Sequence, residues 1–257
     1  MVEIVPLHAF QDNDIWCLRN DTAAVVVDPG DAQPVLDYLS HERLELAAIL
    51  VTHHHSDHVG GIAALRAHFN APVYAPHREN IEGTTTAVRQ GNTVTLPQFG
   101  LSFAVIDVPG HTLGHVAYYG ANLLFCGDTL FGCGCGRLFE GTPQQMYASL
   151  QKLAALPDDT LVYCAHEYTL ANLRFALAAD PDNAALKQRM ASAAELRQRG
   201  LPTLPATLAL EKATNPFLRC GESALVAAAR RHAGRPLHDA AEVFAALRQW
   251  KDHYQTP

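Results

Sequence analysis

The sequence predicts an α/β domain followed by a smaller α-helical one, on three observations. Up to about residue 170, short apolar runs rich in β-branched residues alternate with turns and helical segments. Beyond that point alanine-rich stretches with helical spacing take over. Histidines and aspartates recur where the predicted strands end. The domain boundary is therefore expected near residue 170, with residues 1–170 forming the α/β part and 171–257 the helical part.

Taken in order, "IWCLRN" and "AAVVVDPG" read as a hairpin pair closing in a turn at Pro29-Gly30, and "LAAILVT" (Leu46–Thr52) as a buried strand. "GGIAALRAHF" has helical spacing, with Ile62, Ala64, Leu65 and Phe69 on one face. "APVYAP" and "LSFAVIDVPG" read as strands, and "HVAYYG" and "NLLFCGD" as strands flanking a Gly-Ala-Asn turn. "GTPQQMYASLQKLAAL" opens a helix with Thr142 as N-cap, Pro143 at the first helical position and Gln145 completing a capping box. "TLVYCAHEY" is a strand running into His166. The helical tail comprises "TLANLRFALAAD", "NAALKQRMASAAELRQRG", "GESALVAAARRHAG" and "DAAEVFAALRQWKDHY", with Leu201 to Arg219 expected as a proline-bearing loop.

Composition narrows the function classes. The chain has 257 residues, 48% apolar and 18% charged, which allows a sizeable core. No run approaches the roughly 20 apolar residues of a membrane span. The start "MVEIVPLHAFQDND" lacks the basic and apolar regions of a secretory signal, so a cytoplasmic protein is expected. Cys17, Cys126, Cys133, Cys135, Cys164 and Cys220 are scattered, and free thiols are expected. The formal net charge of −7 argues against a nucleic-acid binder, and an anionic substrate would need a local basic pocket.

The stretch "THHHSDHVGG" carries the chemistry: His53, His55, Asp57 and His58 form H-x-H-x-D-H. In an extended strand-end loop His53 and His55 project to one side, and His54 to the other. Further donors end other predicted strands: His111 after "VIDVPG", Asp128 after "LLFCG" and His166 after "LVYCA". A single histidine of this kind is more often a structural hydrogen-bonder. Seven nitrogen and oxygen donors at strand ends instead divide naturally between two divalent ions, with one carboxylate bridging. Zinc suits this donor set best, and iron and manganese also fit. His115, four residues past His111, reads as a group supporting the ligands rather than as one of them.

The motifs "THHHSDHVGG", "PGHTLGH", "FCGDTLF", "GCGRLFEGT", "CAHEYT" and the closing "LRQWKDHY" resemble the metallo-β-lactamase superfamily and, more narrowly, the glyoxalase II (hydroxyacylglutathione hydrolase) family, over nearly the whole chain. The resemblance implies an αββα sandwich with a dinuclear site, followed by a helical domain that helps hold glutathione. It places His53, His55 and His111 on a first ion, Asp57, His58 and His166 on a second, and Asp128 between them. It maps the glutathione contacts onto Arg137, Phe139, Tyr168, Arg248 and Lys251. Arg137 stands where the better-known eukaryotic members have Lys, and Phe139 where they have Tyr, which removes a hydroxyl.

The activity so implied is hydrolysis of an S-(2-hydroxyacyl)glutathione, D-lactoyl above all, in the second step of methylglyoxal detoxification. A water shared by two divalent ions loses its proton near neutral pH and attacks the thioester carbonyl. Asp57 would orient that hydroxide, and a thiolate of pKa about 8.5–9 leaves without a strong general acid. No G-x-S-x-G element offers a serine nucleophile instead. The expected partner is a small glutathione thioester, with no nucleic acid and no membrane, and the chain is expected to act as a monomer. Three alternatives share parts of this pattern. A β-lactamase would place a Cys at the second-ion position, where Asp128 stands. A glutathione persulfide dioxygenase would use one iron. A non-catalytic metal-binding protein would turn over no thioester.

Overall fold

The computed structural model describes residues 2–254. These form two units. The first runs to Asp107 and resumes at Gly114–Gly127, and the second takes Val108–Leu113 and the chain from Asp128 onward.

In the first unit β1 (Glu3–Ala9) and β2 (Asn13–Arg19) pair antiparallel, from Glu3 opposite Arg19 to Ala9 opposite Asn13. The hairpin expected between "IWCLRN" and "AAVVVDPG" forms as β2 against β3 (Ala23–Val27). Helix α1 (Gln33–Glu42) then carries the chain to β4 (Glu45–Leu50), which lies parallel to β3. After α2 (Ser56–Val59) and α3 (Ile62–His68) come β5 (Val73–Pro76) and β6 (Thr86–Val88), again parallel. The resulting sheet has the order β1-β2-β3-β4-β5-β6.

Its central strands are apolar on both faces because both faces are covered. Val26 and Ile49 join Val35 and Leu39 of α1 and Ile62 and Leu65 of α3 in one buried cluster. Val25 and Leu50 are equally buried and, by strand alternation, face the other side. Within α3, Ala64 is exposed and Phe69 half-buried at the end, so the apolar face is narrower than the spacing suggests. Over its two turns Ile62 and Leu65 reach the sheet fully, and Phe69, just past the helix, packs partly buried against the same cluster.

The other side meets a second sheet, in which β7 (Thr93–Leu96), β8 (Leu101–Asp107), β9 (Val116–Gly120) and β10 (Leu123–Gly127) form an antiparallel meander. The Tyr118 hydroxyl crosses between the sheets, 2.8 Å from the Val51 carbonyl oxygen and 3.1 Å from that of Tyr74. At the β9–β10 turn Ala121 and Asn122 have φ of 51° and 61°, the left-handed pair that matches the twist of a two-residue hairpin.

The second unit begins with a small hairpin, β11 (Leu130–Phe131) and β12 (Gly134–Cys135). Helix α4 (Pro143–Ala154) starts with the expected capping box: Gln145 N–H donates to Thr142 Oγ1 at 3.2 Å, and Thr142 N–H to Gln145 Oε1 at 2.9 Å. Then follow β13 (Leu161–Cys164), α5 (Thr169–Ala179), α6 (Ala184–Gln198), β14 (Ala206–Thr207), α7 (Leu208–Thr214), α8 (Ser223–Ala233) and α9 (Ala240–Asp252), with β13 and β14 antiparallel. The helices from 171 onward thus share a unit with β11–β13 and α4.

The segment from Leu201 to Arg219 is not the loop that its prolines suggested. It holds β14 and α7, because the prolines flank the helix while Thr207 caps it, accepting from Leu210 N–H at 3.2 Å. Helix α7 also delivers Glu211 to the interior, fully buried. Glu211 pairs with Arg189 of α6 and accepts hydrogen bonds from Cys133 N–H (2.9 Å) and Asn215 Nδ2 (3.1 Å). Arg189 donates in turn to Thr214 Oγ1. One carboxylate therefore fixes two helices and the β11–β12 turn.

Removing one partner of a buried pair strands the other charge. Glu211→Ala is expected to destabilise the protein by about 3–5 kcal/mol in chemical denaturation. The double variant Arg189→Met/Glu211→Leu should recover most of that loss, since an apolar pair leaves no orphaned charge. A double variant as unstable as Glu211→Ala would sink this account.

Candidate metal centre and adjoining cavity

The first unit supplies four of the predicted donors from one short segment. Strands β3 and β4 run parallel and end side by side, at Val27 and Leu50, just before Asp28 and Thr52. Asp28 accepts from Thr52 N–H and from Thr52 Oγ1, both at 2.7 Å. Its Oδ2 also lies 3.2 Å from Nδ1 of His58. The carboxylate thereby fixes the direction in which the chain leaves β4 and the orientation of one imidazole.

His53 is buried, and its Nε2 stands 3.1 Å from Nδ1 of His55, so the two imidazoles do project together. His115 stacks on His53 with ring centroids 4.6 Å apart and stays buried behind it. Asp57 and His58 fall in the single turn of α2, with Asp57 Oδ2 3.5 Å from His58 Nε2. Asn13 of β2 donates to that same Oδ2 at 3.1 Å. The glycines that close the motif are there for backbone approach: a Cβ on Gly60 would sit 2.6 Å from the Gly30 carbonyl oxygen.

The second unit contributes the other three predicted donors. His111 Nδ1 meets the Arg137 carbonyl oxygen at 2.8 Å, which leaves Nε2 directed at Asp128. That Nε2 is 3.4 Å from Asp128 Oδ2, and His166 Nε2 is 3.4 Å from Asp128 Oδ1. Each oxygen of one carboxylate thus faces one imidazole. Two ligand atoms about 2.1 Å from a shared tetrahedral ion stand about 3.4 Å apart, so the spacing suits an ion on either side of Asp128. His166 is held by Tyr168, stacked at 4.8 Å, and by the edge of Phe131. A Cβ on Gly136 would lie 2.0 Å from the Asp128 carbonyl oxygen, so only glycine lets the chain pass.

Among the described residues, the groups able to hold a metal ion draw on His53, His55, Asp57, His58, His111, Asp128 and His166, and on neither His54 nor His115. The donor types fit divalent ions: neutral imidazoles and carboxylates, with no thiolate.

A cavity of about 410 Å³ opens from His111 and Asp128 within the second unit. All five residues expected to contact glutathione line it: Arg137, Phe139, Tyr168, Arg248 and Lys251. They differ in what they can do. Arg248 is buried, donating from Nη1 to the Cys135 carbonyl (2.8 Å) and from Nη2 to Asp252 Oδ1 (2.9 Å), with its guanidinium 5.1 Å from the Phe217 ring centre. Phe139 is 65% exposed, its ring edge-on to His111. Burial, reinforced by the Arg248 charge, lowers the Lys251 ammonium to about 8.

Asp28, Asn13 and Asp252 escaped the sequence reading. The turn "DPG" after an apolar strand was the one signal for Asp28. The cysteines offer no rival nucleophile: all six are buried and free, and burial pushes the Cys17 and Cys133 thiols up to about 12 and raises Cys135 and Cys220 too.

Two family models match end to end: the metallo-beta-lactamase superfamily over residues 10–166, and the hydroxyacylglutathione hydrolase C-terminus over residues 167–254. The chain is 56% identical to the hydroxyacylglutathione hydrolase of Nitrosomonas eutropha, across 99% of this chain and 100% of that one. Among solved structures, ETHE1 from Myxococcus xanthus superposes with a TM-score of 0.66 at 25% identity, over 98% of each chain. TTHA1623 in a di-iron-bound form superposes with a TM-score of 0.58 at 28% identity, over 84% of this chain and 100% of that one. The fold is accordingly the metallo-β-lactamase fold with a helical C-terminal region, and the chain belongs to the hydroxyacylglutathione hydrolase family.

Proposed function

We propose that the chain hydrolyses S-(2-hydroxyacyl)glutathione, with S-D-lactoylglutathione as its main substrate, at a centre of two divalent ions. Family membership makes it a thioester hydrolase. The observation that carries the finer reading is Asp128, with an imidazole 3.4 Å from each oxygen, at the wall of a cavity bearing three cationic side chains.

In this reading His53, His55 and His111 would hold the first ion, Asp57, His58 and His166 the second, and Asp128 would serve both. Zinc is the proposed metal, with iron or manganese as alternatives. The ions, when bound, would supply an acidified water and polarise the thioester carbonyl. Asp57, to whose Oδ2 Asn13 donates, would orient the attacking oxygen through its carboxylate. Arg137 and Lys251 meet the carboxylates of the tripeptide, Arg248 shapes the wall behind them, and Tyr168 and Phe139 pack against its body. The leaving thiolate needs no acid from the protein, and none of the buried cysteines competes with it. We propose a cytoplasmic monomer divided near residue 170, where the two family models meet; no described helix is long and apolar enough to cross a membrane.

The decisive assay offers metal-replete protein S-D-lactoylglutathione, a β-lactam and glutathione persulfide side by side. Turnover of the thioester alone is expected, and preferential turnover of either competitor would overturn the reading. Elemental analysis should find two ions per chain, with Asp128→Ala lowering the occupancy of both. One tightly held ion in fully active protein would rule out the bridge.

His55→Ala should lose metal and nearly all activity, whereas His54→Ala should keep its metal. Equal behaviour of the two variants would contradict the assignment of donors.

The Lys251 ammonium gives a pH signature. It is charged below about 8 and neutral above, so KM for the thioester should rise as pH increases through 8. Lys251→Arg should flatten that rise. Lys251→Ala should raise KM at pH 7 by about tenfold or more, with a smaller change in kcat. A pH-independent KM in the parent protein would remove Lys251 from the binding site.

A further inference from the structure

Three cations line the cavity, yet they are not equally available. Arg248 is fixed by the Cys135 carbonyl and by Asp252, through Nε at 3.2 Å and Nη2 at 2.9 Å. Lys251 makes no ion pair among the described residues. Arg137 stands on an open loop, its side chain 66% exposed, and its guanidinium Nε lies 3.8 Å from the same Oδ1 of Asp252. A single carboxylate oxygen therefore serves both arginines. The contact to Arg248 is short and partly buried; the contact to Arg137 is long and open to water.

That asymmetry has a chemical reading. Asp252 occupies the last turn of α9, directly after Lys251, and contacts two arginines that line the cavity read above as the glutathione site. An acid there works against anion binding unless it does something else. Holding Arg248 in place accounts for the short contact. It does not account for the long one to Arg137, whose flexible side chain could as well point to water.

We propose that Asp252 is a resident counter-ion for Arg137, which a carboxylate of the incoming ligand displaces. This rests on the glutathione reading of the cavity given above. In the empty protein Asp252 keeps Arg137 turned toward the cavity mouth and neutralises part of its charge. When the tripeptide enters, its carboxylate takes over Arg137, while Arg248 keeps Asp252. The exchange swaps one ion pair for another, so Arg137 contributes orientation at little net gain in affinity. Release of the glutathione product is aided by the returning Asp252 contact. Asp252 is thus a positioning residue that sets how tightly product and substrate are held.

The test measures binding of S-methylglutathione to the metal-replete full chain by calorimetry. This probe carries the tripeptide charges and has no thioester to cleave. Asp252→Asn keeps an acceptor for Arg248 while removing the competing charge. It is expected to tighten binding by about two- to fivefold, and Asp252→Glu should stay near the parent. In an Arg137→Gln background the gain from Asp252→Asn should vanish. Unchanged or weakened binding in Asp252→Asn overturns the proposal and leaves Asp252 as a prop for Arg248 alone. A gain that persists without Arg137 overturns it as well. Should Asp252→Asn not fold, the parent protein decides: saturating probe must move the Arg137 Nε–H resonance, and an unmoved resonance overturns the proposal. Absence of any binding by the parent would instead strike the glutathione reading itself.

Discussion

At the point where two parallel strands end, the Asp28 carboxylate accepts from both the backbone and the hydroxyl of Thr52 while facing His58. Much of the first unit's chemistry follows from that clamp. A strand leaving a sheet has no ladder to guide it, and a loop of histidines would otherwise sample many directions. Tied at Thr52, the chain places His53 against His115 and brings His55 alongside. It then turns at once into α2, with Asp57 steadied by Asn13. The close packing of Gly60 on Gly30 shows how little space is left for error. Ligands positioned in advance of their ion lose less entropy on binding it.

The second unit solves a different problem. A chain of net charge −7 must present a positive surface to an anionic ligand. It does so by concentrating Arg137, Arg248 and Lys251 around one cavity. Glu211 is spent on Arg189, where it braces α6, α7 and the β11–β12 turn. Asp252 is the one acid kept beside the cavity cations among the described contacts, and it is shared between two arginines. Burial at the cavity wall, with the Arg248 charge adding to it, is what lowers the Lys251 ammonium.

How much of this could be read beforehand divides along physical lines. Elements with a strong local signal were legible: the apolar run of β4, the capping box of α4, the strand that ends at His166. The donor histidines were legible because their spacing is itself the signal. What stayed hidden depended on partners distant in sequence. Asp28 looks like an ordinary turn residue until Thr52, 24 positions later, is seen to need its carboxylate. Helix α7 hid behind prolines that in fact lie outside it, since the face it buries carries Leu208, Glu211 and Thr214 rather than an apolar stripe. Arg248 is expected at the glutathione site through the family resemblance alone, and its burial depends on Phe217 and Cys135, partners distant in sequence. Periodicity records which face is apolar; it does not record which charged side chain will find a partner there.

The buried cysteines acquire meaning from the reaction. An enzyme that liberates glutathione works in a steady stream of thiol, and in an oxidising episode it sits amid glutathione disulfide. Mixed disulfides form by attack of a protein thiolate, and their yield follows the thiolate fraction and its access to solvent. Here every sulfur is enclosed, and the Cys135 thiol at the cavity wall itself has its pKa raised by burial. The catalyst is thereby insulated from the disulfide form of its own product: no cysteine thiolate stands open to attack glutathione disulfide and be captured as a mixed disulfide.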